Sequence, residues 1–327
     1  MRVLVTGGAG YIGSVVADHL LRVGHDVTVL DNLSMGWREA VPAGAEFVLG
    51  DTGDEAALET LFASHGFDAV MHFAAFIEAG ESVKLPERYF DNNSLRTLTL
   101  LRTMLRHQVM RFVFSSTAAV YGEPETIPIP EEHPLVPTNA YGESKLLVER
   151  MLAWFHRAHE FRYASLRYFN AAGGTAERGE AHRHESHLIP LVLQVPLGQR
   201  EYIEIFGADY ATKDGTCVRD YIHVDDLASA HLLALDGLAS QEKLICNLGS
   251  GEGFTVREII DIARKLTGYD IPVRECPRRA GDPAVLVASS EKARRLLGWS
   301  PRTLDVEAIV TSAWQWHKTH PRGYHRA

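Results

Sequence analysis

Across 327 residues the chain carries 42 acidic against 33 basic side chains, a formal charge of −9, so binding to nucleic acid or to an anionic membrane surface is disfavoured. Its composition, 46% hydrophobic and 23% charged, is that of a folded globular protein, and no apolar stretch approaches the ~18 residues of a membrane span. Cys217, Cys246 and Cys276 form no CxxC pair, and the opening MRVLVTGG is too short an apolar run for a signal peptide, so a reducing cytoplasm is expected.

In chain order, the first half alternates short β-branched runs with amphipathic segments. Strands are predicted at Arg2 to Thr6, Asp26 to Leu30, Glu46 to Leu49, Asp68 to Phe73, Arg111 to Ser115 and Tyr163 to Arg167. Helices are predicted at Ile12 to Val23, Glu55 to Ser64, Pro86 to His107 and Tyr141 to His159. Alternation of this kind predicts an α/β fold, a doubly wound parallel Rossmann sheet of six strands with right-handed crossovers. Beyond about residue 170 the rhythm loosens into a Gly- and His-containing loop, a helix near Leu188 to Leu197 and less regular pieces, which reads as a smaller α/β substrate lobe. The expected division is therefore 1–170 for the nucleotide-binding domain and 171–327 for the second lobe. Tyr221 to Val224, Asp226 to Leu235 and Leu244 to Leu248 are expected to rejoin the main sheet.

The turn after the first strand reads Thr6-Gly7-Gly8-Ala9-Gly10-Tyr11-Ile12-Gly13. Gly7 permits a tight turn, Gly10 lets backbone approach a pyrophosphate, and Gly13 lets the helix pack close to the strand. The helix N-terminus adds N–H donors and positive dipole. Asp31 closes the second strand about 20 residues on, where a carboxylate accepts from ribose hydroxyls and repels a 2′-phosphate; NAD is thus favoured over NADP. Asp51 stands where it can take the adenine amino proton, and Phe73-Ala74-Ala75 ends the fourth strand with small residues beside the expected cofactor.

Tyr141-Gly-Glu-Ser-Lys145 puts a phenol and an ammonium four residues apart at a helix start, hence on one face. An adjacent cation favours phenolate, and bringing a phenol from about 10 to neutrality takes roughly 4 kcal/mol, which one buried ammonium together with the positive nicotinamide ring of NAD is expected to supply. The preceding strand ends Ser115-Ser116-Thr117, delivering a hydroxyl to the carboxyl edge of the sheet.

These segments, with LDNLS, HFAAFIEAGESV, YFDNNS, SSTAAVYGEP, AYGESKLLVE, RYFNAAGG, IFGADYATKDGTCVRDYIHVDDLA and RRAGDPAVL, resemble the extended short-chain dehydrogenase/reductase family over essentially the whole chain, and within it the nucleotide-sugar 4-epimerases. The resemblance implies Tyr141 as base and acid, Lys145 holding the nicotinamide ribose and tuning Tyr141, and Thr117 bonding the sugar oxygen. It implies further NAD contacts from Tyr11, Ile12, Asn32, Leu33, Ser34, Asp51, Thr52, Phe73, Ala74, Ala75, Asn92 and Phe169. UDP-hexose contacts would fall to Asn170, His187, Leu188, Phe206, Arg219, Arg279 and Asp282, the arginines because their forked donors match pyrophosphate oxygens.

The implied activity is the exchange of UDP-galactose and UDP-glucose through a 4-keto sugar, with NAD retained, and the implied assembly is a homodimer packed through Pro86 to His107 and Tyr141 to His159. A 4,6-dehydratase would carry Thr-Asp-Glu where this chain has Thr117-Ala118-Ala119, and alanine can neither donate nor accept the protons of water elimination. A nucleotide sensor without turnover would not need Thr117, Tyr141 and Lys145 together. The sequence departs from the family pattern at His187 and Ile77, and Leu286 replaces a tyrosine that in some members crowds the sugar 2-position, which leaves other UDP-sugars open. His182, His184 and His187 share one loop, but their spacing fits no standard metal site, so no metal is expected.

Overall fold

The computed structural model describes residues 1–279 and 281–324. Its centre is a seven-stranded, wholly parallel sheet. In chain order the first six strands are β1 (Arg2–Thr6), β2 (Asp26–Asp31), β3 (Glu46–Leu49), β4 (Ala69–His72), β5 (Arg111–Thr117) and β6 (Arg162–Tyr168). Four short strands follow, β7 (Asn170–Ala172), β8 (Ile203–Phe206), β9 (Val218–Arg219) and β10 (Tyr221–His223), before β11 (Lys243–Leu248) supplies the seventh position. The order across the sheet is β11-β6-β5-β4-β1-β2-β3. It reverses between β1 and β4, the place where a crevice opens outside the strand ends.

Both faces are covered, and the strands show it residue by residue. Val3 and Val5 of β1 point into one core while Leu4 points into the other; Val113 of β5 and its neighbours Phe112 and Phe114 divide in the same way. The period-2 alternation of side chains places apolar residues on both faces, so a sheet of this kind must be sandwiched. Helices α1 (Tyr11–Arg22) and, later, α8 (Val224–Gly237) cover the first face; α2 (Glu55–His65) covers the second.

The segment expected to be one helix from Pro86 to His107 is wound in three ways. After a short α3 (Ala79–Ser82) come α4 (Pro86–Tyr89), a π-helical stretch over Phe90–Leu95, and α5 (Arg96–Arg106). The cause sits at buried Asn93, whose Oδ1 accepts from the Phe76 N–H and whose Nδ2 donates to the Phe76 carbonyl and to Ser144 Oγ. Wider winding of this sort is often found at functional sites. Helix α6 (Ala140–His159) begins under a cap, the Gly142 N–H donating to Asn139 Oδ1 at 2.9 Å. The helix expected to reach Leu197 stops as α7 (Leu188–Gln194): Val195 keeps helical backbone, but the proline that follows it has no N–H with which to continue the ladder.

The second lobe has its own core of Ile189, Val192, Leu193, Ile203, Ile205, Ile259, Ile260, Ile309 and Val310. It is built on α7, α9 (Val256–Thr267) and α11 (Val306–Thr319), while α10 (Glu291–Leu297) packs back on the first sheet core through Ala293; β12 (Phe254–Thr255), β13 (Val273–Cys276) and β14 (Val285–Leu286) pair to the short strands before them. Among the described residues no helix is long and apolar enough to cross a membrane.

Candidate active site

One cleft of about 820 Å³ runs along the carboxyl ends of the strands and down between the sheet and the second lobe. Its floor is the turn after β1. Gly7 has φ +73, and a Cβ there would lie 2.4 Å from the Ala74 nitrogen. A Cβ on Gly13 would lie 2.4 Å from the Gly7 carbonyl oxygen, so helix α1 reaches the turn only as glycine. Gly10 is different: its absent Cβ would meet one atom, Gly7 O at 3.2 Å, and its face opens to the cleft. A smooth backbone cradle at a helix N-terminus is what a pyrophosphate needs. Tyr11, Ile12, Phe73, Ala74 and Ala75 line the same stretch.

Asp31 is buried at the end of β2, where it accepts from the Ala9 N–H at 3.0 Å and the Leu33 N–H at 2.8 Å. Burial raises its pKa, against the lowering effect of those two N–H donors. It both braces the glycine turn and presents a carboxylate to the cleft, so turn-forming and ligand-facing uses coexist in one side chain. Asn32 Nδ2 donates to Asp51, which is also paired with Arg96 at 2.6 Å. Arg96 is a member of this cluster that sequence reading missed, since 45 residues separate it from Asp51. Ser34, Thr52, Asn92 and Phe169 reach the cleft wall. Leu33 does not: it packs against the first sheet core, and only its N–H serves the site.

Thr117 ends β5, and Tyr141 and Lys145 lie in the first turns of α6, so sheet and helix bring the three residues to the same cleft. The Tyr141 phenol is hydrogen-bonded with Thr117. Lys145 is buried; its Nζ donates to the Ser115 carbonyl at 2.8 Å and lies 5.0 Å from the centre of the Phe114 ring. The protein's own groups, without the nicotinamide ring, do not make the phenol acidic. Burial raises the Tyr141 pKa, the Thr117 bond lowers it in part, and the Glu78 carboxylate raises it again. Burial also brings Lys145 down to about 7, so its charge is itself weakened.

Behind this point lies a buried polar support. Ser116 Oγ donates to Glu149, whose carboxylate takes a forked pair of bonds from Arg167 at 3.0 and 2.5 Å. Arg167 passes on to Tyr121 and Tyr121 to Asn247. Its raised pKa comes from Glu149, which outweighs the opposing effect of burial.

At the far end of the cleft Arg219 is paired with Asp282, and the Arg279 guanidinium lies 3.9 Å over the Phe206 ring. Asn170, Leu188 and Leu286 line the wall between this end and Tyr141. His187, Ile77 and Glu78 line it too, and Glu78 was not anticipated. Nor were Glu180 and Glu185, which stand with His182 and His187 in one tight group. Burial opposes charge on both imidazoles, but the two carboxylates outweigh it, bringing His182 up to about 9 and raising His187 well above its usual value.

The sequence model of the NAD dependent epimerase/dehydratase family matches residues 3–249. The chain belongs to this family. Within the NAD dependent epimerase/dehydratase family it is 54% identical to a UDP-glucose 4-epimerase of Halalkalibacterium halodurans, covering 99% of this chain and 98% of that one. It is 55% identical to a UDP-glucose 4-epimerase of Streptomyces lividans, covering 98% and 97%. Among solved structures it is similar to the UDP-glucose 4-epimerase of Bifidobacterium longum in complex with NAD+ and UDP, at 39% identity and a TM-score of 0.95, covering 99% and 100%. The Brucella ovis UDP-glucose 4-epimerase in complex with NAD is similar at 43% identity and a TM-score of 0.92, covering 96% and 97%.

Proposed function

We propose that this chain interconverts UDP-galactose and UDP-glucose by oxidising and re-reducing the sugar at C4, with NAD held along the glycine turn. The observation that carries the reading is that Thr117, Tyr141 and Lys145 line the same cleft as that turn, Arg219 and Arg279, with the Tyr141 phenol hydrogen-bonded to Thr117. Full-length relatives named UDP-glucose 4-epimerase support it.

Gly7, Gly10 and Gly13 would hold the pyrophosphate of NAD, Asp31 the adenosine ribose, and Lys145 the nicotinamide ribose. When bound, the cofactor takes up hydride from C4 and returns it, and its cationic ring adds positive charge beside Tyr141. That charge matters because the protein's own groups leave the phenol less acidic than free tyrosine. Tyr141 removes the proton of the 4-hydroxyl and later gives it back, while Thr117 holds the oxygen in line. The uridine diphosphate is gripped at the Phe206, Arg219 and Arg279 end, so the hexose is free to turn its other face between the two transfers. Ala118 and Ala119 offer no acid or base for elimination, which keeps the reaction at epimerisation.

Incubation with UDP-galactose and chromatography of the products tests this: UDP-glucose must form without added reductant, and no conversion by NAD-loaded protein overturns the reading. A wider substrate range follows from Leu286, which lines the cleft where a tyrosine would narrow it; UDP-GlcNAc is then converted as well. The same reading takes two copies packed through α4–α5 and α6 as the working form, supported by exposed Leu95 and Trp154 on those segments. Light scattering on the purified protein decides between dimer and monomer. A cytoplasmic setting accords with three cysteines that are all free thiols.

A further inference from the structure

Loop 173–187, between β7 and α7, carries the one His/Glu group among the described residues with the spread of a metal site. Ligand atoms of Glu180, His182, Glu185 and His187 all lie within 4.8 Å of one another. His187 Nδ1 is 2.9 Å from both Glu180 and Glu185 carboxylate oxygens, and His182 Nδ1 is 3.3 and 3.4 Å from the same two carboxylates. We propose that these four side chains bind a single divalent cation, zinc by their donor set, and that the ion fastens the loop as a wall of the cleft.

Three observations carry this. First, four bonds of about 2.0–2.1 Å in a tetrahedron set donor–donor edges of about 3.3–3.4 Å, and the His182 distances to Glu180 and Glu185 match that spacing. Second, His182 Nδ1 is a buried nitrogen with no hydrogen-bond partner, directed into the group. Third, the two carboxylates and the two imidazoles converge from one short loop, with one ligand atom of each inside a span of 4.8 Å, so a single ion can touch all four at once. Two neutral imidazoles with two carboxylate oxygens suit zinc; calcium and magnesium prefer oxygen alone. With four protein ligands the site is closed, so its work is structural.

The loop it fastens is already pinned on its outer side, by Trp37 Nε1 donating to the Ala181 carbonyl at 2.6 Å and by Arg183 donating to the Gly36 carbonyl. On the inner side His187 precedes α7, whose first residue Leu188 faces the cleft. A cation at this point would hold residues 180–187 as one piece between those two contacts and the start of α7.

The test is metal content, which needs no assay of turnover. Full-length protein purified without chelator is expected to hold about one zinc per chain by elemental analysis. After chelation, titration with cobalt(II) is expected to give the intense visible absorption of tetrahedral coordination, saturating at one equivalent. A His182→Gln, Glu185→Gln double variant is expected to lose both signals. The proposal is overturned if the wild-type protein takes up neither zinc nor tetrahedral cobalt, or if the double variant binds as much of either as the wild type.

Discussion

Lys145 offers a test in which stability and activity move in opposite directions. Its ammonium is buried against Phe114 and makes one hydrogen bond, to the Ser115 carbonyl. Burial takes its pKa from 10.5 to about 7, which at 1.36 kcal/mol per pH unit is about 5 kcal/mol. The lowered value means that the unfolded chain holds this proton more tightly than the folded one. The penalty is therefore present in full below pH 7, shrinks as pH rises, and is gone above 10.5. Lys145→Met removes the buried charge at similar volume and loses one hydrogen bond worth about 1 kcal/mol. Nucleotide-stripped variant and wild type are compared by urea unfolding across this range. The variant is expected to be more stable below pH 7 by roughly 2–4 kcal/mol, the measured gain falling short of the full penalty through relaxation around the charge. Near pH 10.5 the sign reverses, leaving the variant about 1 kcal/mol less stable. Turnover collapses at every pH. A stability difference that does not change with pH refutes the reasoning.

Gly7→Ala forces a side chain into left-handed backbone, at about 1–2 kcal/mol, and drives a Cβ to 2.4 Å from the Ala74 nitrogen; denaturant unfolding should show a larger loss than the backbone figure alone, and equilibrium dialysis a loss of NAD. Glu149→Gln leaves the Arg167 charge buried without its partner, and unfolding free energies should fall by about 3–5 kcal/mol. Leu286→Tyr narrows the cleft, so the ratio of kcat/KM for UDP-GlcNAc to that for UDP-glucose should fall by about 10–200-fold.

The first half of the molecule was legible because its central strands are apolar runs buried on both faces, such as Val3-Leu4-Val5, bounded by a turn and an amphipathic helix. The second lobe was not, because its strands are two to four residues long and pair across long gaps, Ile203–Phe206 with Val273–Cys276 for example. No local period marks such a strand. Helix α9 did leave a mark, the Thr255 and Glu258 capping box ahead of Ile259, Ile260 and Ala263, yet it was passed over among irregular pieces. The π-helical turn at Phe90–Leu95 could not be read, since the contacts of Asn93 with Phe76 and Ser144 are tertiary.

In the candidate site, glycines and the Tyr141–Lys145 spacing were readable because local geometry dictates them. Leu33 was placed wrongly because a turn residue can serve through its N–H while its side chain goes elsewhere. Four-residue spacing reveals the amine near Tyr141, not the dryness that raises the phenol and weakens the amine together. Histidine spacing at 182–187 fits no standard metal site; Glu180 and Glu185 join the group, and only the fold shows all four converging.

The central claim is that the Tyr141 hydroxyl carries the proton at C4 beside retained NAD. Tyr141→Phe removes that one oxygen and leaves the ring packing in place. The account predicts a variant that holds NAD at wild-type stoichiometry and unfolds at a similar denaturant concentration, with kcat for UDP-galactose lowered by about 10²–10⁴-fold. An unchanged kcat in the folded, NAD-loaded variant would contradict it.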